Sequence, residues 1–263
     1  MKIGVLGAMP EEVSDILDSF DEKTPQNVGD RTYWEGRWRG LDAVAVFSRW
    51  GKVASAATTA ILISRFEVDH VVFVGVAGAI DPLLEPGDIV VATELIQHDM
   101  DASAIPGIER FEIPLLGRKR FVVDDRAVSL AVSAATDFVD GGFELAVPAE
   151  VRAAFSISRP RVVRGLIASG DRFIADVASV ADLRRQLPDL QCVEMEGAAV
   201  AQVCFELGIP ISVIRIISDR ADHDAPIDFA RFSEQVASVI AEGVASRFLD
   251  GLASRPRESQ SAA

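Results

Sequence analysis

The chain has only two cysteines, Cys192 and Cys204, too few for a disulfide framework, and its three histidines make no metal-ligand spacing with them. Both thiols are read as reduced and packed, and no metal is expected. No run of about 18 apolar residues is available to span a membrane. The opening Met1-Lys2-Ile3-Gly4-Val5-Leu6-Gly7 is too short and too soon broken for a secretory signal, so the expected location is cytoplasmic. Basic residues are in the minority, 26 against 40 acidic ones, and the net charge of -14 repels nucleic acid and anionic membrane. Small molecules and other protein surfaces remain as partners. No internal repeat and no linker interrupt the 263 residues, which are read as a single domain over 1–253 followed by a polar tail over 254–263.

Two phosphate-binding signatures are missing as well. Gly4 to Gly7 lacks the three-glycine dinucleotide fingerprint, and Gly75-Val76-Ala77-Gly78 has no lysine and is not a P-loop. That glycine-rich run is either a tight turn or a place where exposed backbone lies along a flat ligand.

What is present is an alternation of apolar runs and helical periods. Strands are predicted at 2–8, 43–47, 70–76, 88–93, 162–168 and 210–217, and a hairpin over 30–48 leads into the second of them. The run at 70–76 is continuously apolar, the mark of a strand covered on both faces. Helices are predicted from Pro10 onward, at 53–64, 125–137, 148–155 and 178–187, and over 229–248, where Val236, Ile240, Val244 and Phe248 share a face. The stretch 97–120, with Pro106, Gly107, Pro114 and Gly117, reads as a long loop over a site or a contact surface. The alternation predicts the α/β class, a three-layer α/β/α sandwich with ligands held beyond the strand ends.

Charge stands out where it interrupts this pattern. Glu194 and Glu196 lie against the start of an apolar helical segment whose first turn, Gly197-Ala198-Ala199, has almost no bulk. A buried carboxylate needs donors, from the protein or from a ligand's hydroxyls. Alternatively one Glu favours the helix N-terminus and the other pairs with an arginine. Asp219, after Ser218 at the end of an apolar strand, could be a helix cap, and Glu12, after Met9 and Pro10, a first-turn acid. His98 and Asp99 could form a dyad, but no nucleophile is recognisable nearby and a structural hydrogen bond is the simpler reading.

Taken together these residues resemble a known family. Lys2 to Val13 with its Gly7-Ala8-Met9-Pro10-Glu11-Glu12 core, Gly51-Lys52-Val53-Ala54, Gly75-Val76-Ala77-Gly78, Pro86-Gly87-Asp88-Ile89-Val90, His98-Asp99, Ser169-Gly170-Asp171, Val193-Glu194-Met195-Glu196-Gly197 and Ile217-Ser218-Asp219 stand in the order seen in the methylthioadenosine/S-adenosylhomocysteine nucleosidases. The resemblance implies a nucleoside phosphorylase-like fold around a central mixed sheet, a homodimer, and no metal or organic cofactor. It implies that Glu12 orients and activates water, that Asp219 protonates the purine at N7, and that Glu196 holds the ribose hydroxyls with Met195 beneath the sugar. By the same likeness Phe173 and Ile174 stack on and contact the purine, with Ala77, Gly78, Ser218 and Met9 beside them. Phe229 belongs to a lid, and Ile105 is lent by a neighbouring subunit. Three positions depart from the family pattern: Val76 replaces a hydroxyl residue, Trp50 replaces a smaller aliphatic of the 5′ pocket, and Pro10 replaces an acid.

These residues suit hydrolysis of an N-ribosidic bond. Asp219, kept neutral by burial, would give its proton to the purine, while ionised Glu12 holds water against an oxocarbenium-like sugar. A purine nucleoside phosphorylase would need cations for its phosphate, and the phosphorylases this chain resembles place an arginine and a serine around the Gly75 loop, where this chain has Phe73 and Val76. A nucleoside-binding protein without turnover would have no use for both Glu12 and Asp219. Futalosine-type nucleosides remain within the hydrolytic branch.

Overall fold

The computed structural model describes residues 1–222 and 225–254, with the backbone alone at 226–228. The expected tail from 255 onward lies outside the described residues.

Among the described residues ten strands form one mixed sheet. In chain order they are β1 (Lys2–Gly7), β2 (Glu22–Val28), β3 (Arg31–Trp38), β4 (Leu41–Phe47), β5 (His70–Ala79), β6 (Ile89–Gln97), β7 (Arg120–Val122), β8 (Val162–Ser169), β9 (Leu190–Glu194) and β10 (Ile211–Asp219). The helices are α1 (Pro10–Asp18), α2 (Lys52–Phe66), α3 (Asp125–Gly141), α4 (Phe143–Ala146), α5 (Ala149–Ala154), α6 (Val177–Gln186), α7 (Gly197–Leu207), α8 (Ala225–Phe232) and α9 (Ser238–Ala253).

β5 is the spine. It runs parallel to β1 on one side and to β10 on the other, and its last residues pair antiparallel with β9 through Gly78 and Val193. β10 continues to β6, β6 to β8 and β8 to β9, so β5, β10, β6, β8 and β9 close into a ring while β1, β4, β3 and β2 extend as an open wing. Two helical layers cover the sheet. α9 packs on α1 and α3, and α2 packs on α7. Burial of consecutive residues along β5 and β10 follows from cover on both faces. Full burial of Phe73, Phe138 and Phe248 contributes about 1.5–3 kcal/mol each.

Closure of the ring places the site. The carboxyl ends of β1, β5 and β10 meet those of β8 and β9 arriving from the opposite direction, and the polar residues that follow each strand converge there.

Several elements differ from the sequence expectation for physical reasons. β2 has the polar sequence Glu-Lys-Thr-Pro-Gln-Asn-Val; it is an exposed edge strand paired only with β3, and edge position is where Pro25 is tolerated. β9 is only five residues long, and its apolar character merges with the helix that follows. The run Gly75-Val76-Ala77-Gly78 is no turn, because β5 continues to Ala79. The last helix is not uniform. A π-helical turn over Ser233–Ala237 joins α8 to α9, and its one extra residue per turn leaves the apolar face continuous.

Candidate active site

Glu12 is the third residue of α1, whose first position is Pro10. Its carboxylate turns back to the loop after β1, where Oε2 accepts from the backbone N–H of Ala8 at 2.5 Å and of Met9 at 3.1 Å. Oε1 accepts from the N–H of Val76 at 3.0 Å. The carboxylate is therefore a first-turn acid, as the simpler reading has it, bonded back to the N–H of the N-cap residue Met9, yet it also lies against β5. That approach requires glycine: a Cβ on Gly75 would stand 2.6 Å from Glu12 Oε1. Burial pushes the Glu12 pKa above its usual value, against the Arg215 charge and the three backbone N–H groups.

Three residues further along β5, roughly 10 Å at strand rise, the second acid meets the second glycine. Asp219 ends β10; its Oδ1 accepts from Ala221 N–H at 2.8 Å, and Ser218 Oγ donates to its Oδ2 at 2.7 Å. A Cβ on Gly78 would stand 2.9 Å from Asp219 Oδ1. The glycines of the 75–78 run thus make room for two carboxylates.

The acidic pair Glu194 and Glu196 separates into two tasks. Glu194, at the end of β9, accepts from the N–H groups of Glu196 and Gly197 at the start of α7. It takes the Arg215 guanidinium at 2.7 Å and the Ser169 hydroxyl, which itself accepts from Ala198 N–H at 2.7 Å. Glu194 is therefore both the helix-terminus acid and the arginine partner. The bulk-free turn at Gly197 accommodates this carboxylate, whose oxygens lie 3.2 Å from a Cβ built there. Glu196 is left facing the cavity, with one donor among the described residues, the Gly51 N–H at 2.7 Å from Oε1. Burial first, and the Glu194 charge second, push its pKa up to about 8, against the Gly51 N–H and Arg215.

That shift has a stability consequence. Above the ordinary value of 4.5 the folded carboxyl keeps a proton that the unfolded chain has lost, so stability falls as pH rises toward 8. Glu196→Gln removes this contribution. Thermal melts taken between about pH 5 and 8 are expected to show a smaller loss for the variant than for the parent; equal slopes would contradict the assignment.

Arg215 escaped the sequence reading, although a lone arginine inside the apolar strand Ile-Ser-Val-Ile-Arg-Ile-Ile is the available signal. Its side chain is fully buried, lies over the Phe73 ring at 4.0 Å, and stands between Glu194 and the charges of Glu12 and Glu196. Removing one partner of such a pair strands the other. Arg215→Met is expected to cost about 3–5 kcal/mol in urea unfolding, and Glu194→Gln in the same chain to recover part of it. A cost below about 1 kcal/mol, the level of a surface ion pair, would contradict that role.

One cavity is lined by Ala8, Met9, Glu12, Trp50, Val76, Ala77, Gly78, Arg172, Phe173, Ile174, Val193, Glu194, Met195, Glu196, Ser218, Asp219 and Phe229. It brings together every residue given a catalytic or substrate-binding role from the sequence except Ile105, which is 55% exposed on the loop after β6. Ala8, Val76, Val193 and Glu194 stand in the motifs read from the sequence without a substrate-contact role there, and the cavity adds them, while Arg172, paired with Asp176 at 2.9 Å, had no signal. At the mouth the rings of Trp50 and Phe173 each meet Phe229 edge-on, with centroids 6.2 and 5.6 Å apart. His98 and Asp99 make no dyad: Asp99 bonds Lys52 and the Asp171 N–H, while His98 Nε2 is buried over Gly170 with no hydrogen-bond partner among the described residues. Among the described residues no group of three His, Cys, Asp or Glu could hold a metal ion, and no helix is long and apolar enough to cross a membrane.

Two glycine-cradled acids at the carboxyl end of a shared strand, with a third carboxylate in the same cavity, define the class: residues 2–250 match the model of the phosphorylase superfamily. The 5′-methylthioadenosine/S-adenosylhomocysteine nucleosidase of Anoxybacillus flavithermus is 35% identical over 90% of this chain and 93% of its own. The solved structure of the Colwellia psychrerythraea nucleosidase of the same name, in complex with adenine, superposes with a TM-score of 0.84 at 35% identity, covering 96% of each chain. Futalosine hydrolase of Helicobacter pylori superposes with a TM-score of 0.81 at 32% identity, covering 95% of this chain and 98% of that one. The chain belongs to the family of 5′-methylthioadenosine/S-adenosylhomocysteine nucleosidases.

Proposed function

We propose that the protein hydrolyses the N-ribosidic bond of 5′-methylthioadenosine and S-adenosylhomocysteine, releasing adenine and the free thioribose. The observation that carries this reading is that Glu12 and Asp219, from opposite ends of the chain, line one cavity with Glu196. Asp219 delivers a proton to N7 of the purine, held between Phe173 and the backbone at Ile174, Ala77 and Gly78. Glu12 takes a proton from the water that attacks the anomeric carbon, and a carboxylate made more basic by burial suits that task. Glu196 accepts from the ribose hydroxyls, which supply donors its ionised form otherwise lacks, so nucleoside binding draws its proton off. Met195 lies beneath the sugar, and Met9, Trp50 and Phe229 surround the 5′ substituent. The scheme uses the chain's own groups and water.

We further infer one nucleosidase domain over 1–253, working as a cytoplasmic homodimer in which Ile105 of one subunit completes the 5′ pocket of the other. Neither nucleic acid nor membrane is a partner of so acidic a chain.

Water rather than phosphate as nucleophile is favoured by the fate of the cations. Arg215 is committed to Glu194, over the Phe73 ring, and Arg172 is paired at the surface with Asp176. The test is adenine release from 5′-methylthioadenosine in phosphate-free buffer, expected to proceed at the rate seen with phosphate present. A requirement for phosphate would mark a phosphorylase, tight binding without release a nucleoside-binding protein, and a preference for other 5′ groups a futalosine-type substrate.

A further inference from the structure

Outside the cavity, three loops are tied by a closed ring of polar contacts. The Lys52 ammonium meets Asp99 Oδ1 at 2.5 Å. The other Asp99 oxygen accepts from the backbone N–H of Asp171 at 2.9 Å, and Asp171 Oδ1 accepts from the backbone N–H of Lys52 at 2.8 Å. Each residue thus holds the next, and each comes from a different part of the chain: the N-terminus of α2, the loop after β6 and the loop after β8. The Lys52 ammonium also donates to Gln97 Oε1 at 3.1 Å, and Gln97 donates to Gln202 of α7 at 2.7 Å, so the ring is fastened to the helix that begins directly after Glu196. The Lys52 side chain is 16% exposed and that of Asp99 32%, more enclosed than an ordinary surface pair.

The neighbours of these residues are what matter to chemistry. Beside Lys52 stands Gly51, whose N–H is the protein donor to Glu196, and then Trp50 at the cavity mouth. Two and three residues beyond Asp171 stand Phe173 and Ile174, which line the same cavity. Gly51 has a φ of +92°, and a Cβ there would stand 3.0 Å from Asp171 Oδ1, so the turn is closed directly onto the ring. None of the three side chains lines the cavity itself.

We propose that Lys52, Asp99 and Asp171 form a positioning latch: together they hold the Gly51 amide against Glu196 and the Phe173 loop across from it, and so set the affinity for the ribose hydroxyls. The proposal rests on the nucleosidase reading for its substrate and on the geometry alone for its mechanism. Loss of the latch frees the 50–52 turn, and Glu196 loses the donor that aims it; a displacement of this kind far from the reacting atoms is enough for a large effect.

The experiment compares Lys52→Met, Asp99→Asn and Lys52→Arg with the parent on 5′-methylthioadenosine and on its 2′-deoxy counterpart. Lys52→Met and Asp99→Asn are expected to raise KM for the ribonucleoside by about 10- to 100-fold while kcat changes by less than about 5-fold. The 2′-deoxy compound, lacking a hydroxyl for Glu196, is expected to show a much smaller rise, and Lys52→Arg to restore most of the ribonucleoside KM. An unchanged KM in folded variants, or an equal rise for both compounds, overturns the latch. Should a variant fail to fold, Asp171→Asn is measured in the same way. If the parent releases no adenine from either compound, the functional reading fails, and the latch is then judged by the dissociation constants of the same two nucleosides, with the same outcomes supporting or overturning it.

Discussion

Replacing Asp219 by Asn is expected to lower turnover of 5′-methylthioadenosine by about 10²- to 10⁴-fold, with adenine still bound within a few-fold of the parent affinity. The substitution is nearly isosteric. Its amide oxygen can still accept from Ala221 N–H, and Ser218 stays within reach, so the end of β10 keeps its conformation. What disappears is the proton. An amide can donate a hydrogen bond to N7 but cannot transfer a proton to it, and adenine then has to leave as an anion. Rapid-quench measurement of adenine release separates this effect from any change in binding; turnover within about 10-fold of the parent would remove Asp219 from the chemistry.

Glu12→Gln is expected to produce an effect of similar size on turnover but a different one on the fold. Both Glu12 oxygens are acceptors for backbone donors, Ala8 and Met9 on one and Val76 on the other. Glutamine offers a single acceptor oxygen, so at least one buried N–H is left opposite an amide donor, at a cost of about 1–3 kcal/mol. The variant should therefore lose stability in urea unfolding as well as about 10²- to 10⁴-fold in turnover. Undiminished stability would show that these N–H groups find other acceptors. Undiminished turnover would show that water is activated elsewhere.

The difference between these two variants reflects how the molecule uses carboxylates, and it bears on what the sequence could reveal. Apolar strands such as β5 and most of β10, and the amphipathic pattern of α9, are legible because burial on both faces, or on one, writes a simple period. β2 is not, since an exposed edge strand carries a polar sequence whose conformation is set by β3 alone. At the site, motif order pointed to Glu12, Asp219 and Glu196, and the cavity holds all three. Composition around Glu194 and Glu196 could not divide their labour. That division depends on Arg215 and Ser169, which reach Glu194 from other strands, while Glu196 takes the Gly51 N–H. The glycines of β5 were ambiguous for a similar reason: only the fold shows that the atoms crowding them are carboxylate oxygens. Long-range partners of this kind leave no local signal, and the ring of Lys52, Asp99 and Asp171 is a further case.

The account rests on separate tasks for two acids, one acting on the base and one on the sugar side. The most direct test gives Asp219→Asn and Glu12→Gln a 5′-methylthioriboside whose leaving group is a nitrophenolate, which departs without protonation. Asp219→Asn is predicted to hydrolyse it at close to the parent rate while remaining impaired on 5′-methylthioadenosine, and Glu12→Gln to be impaired on both. An equal loss on both substrates for Asp219→Asn would contradict the division of labour.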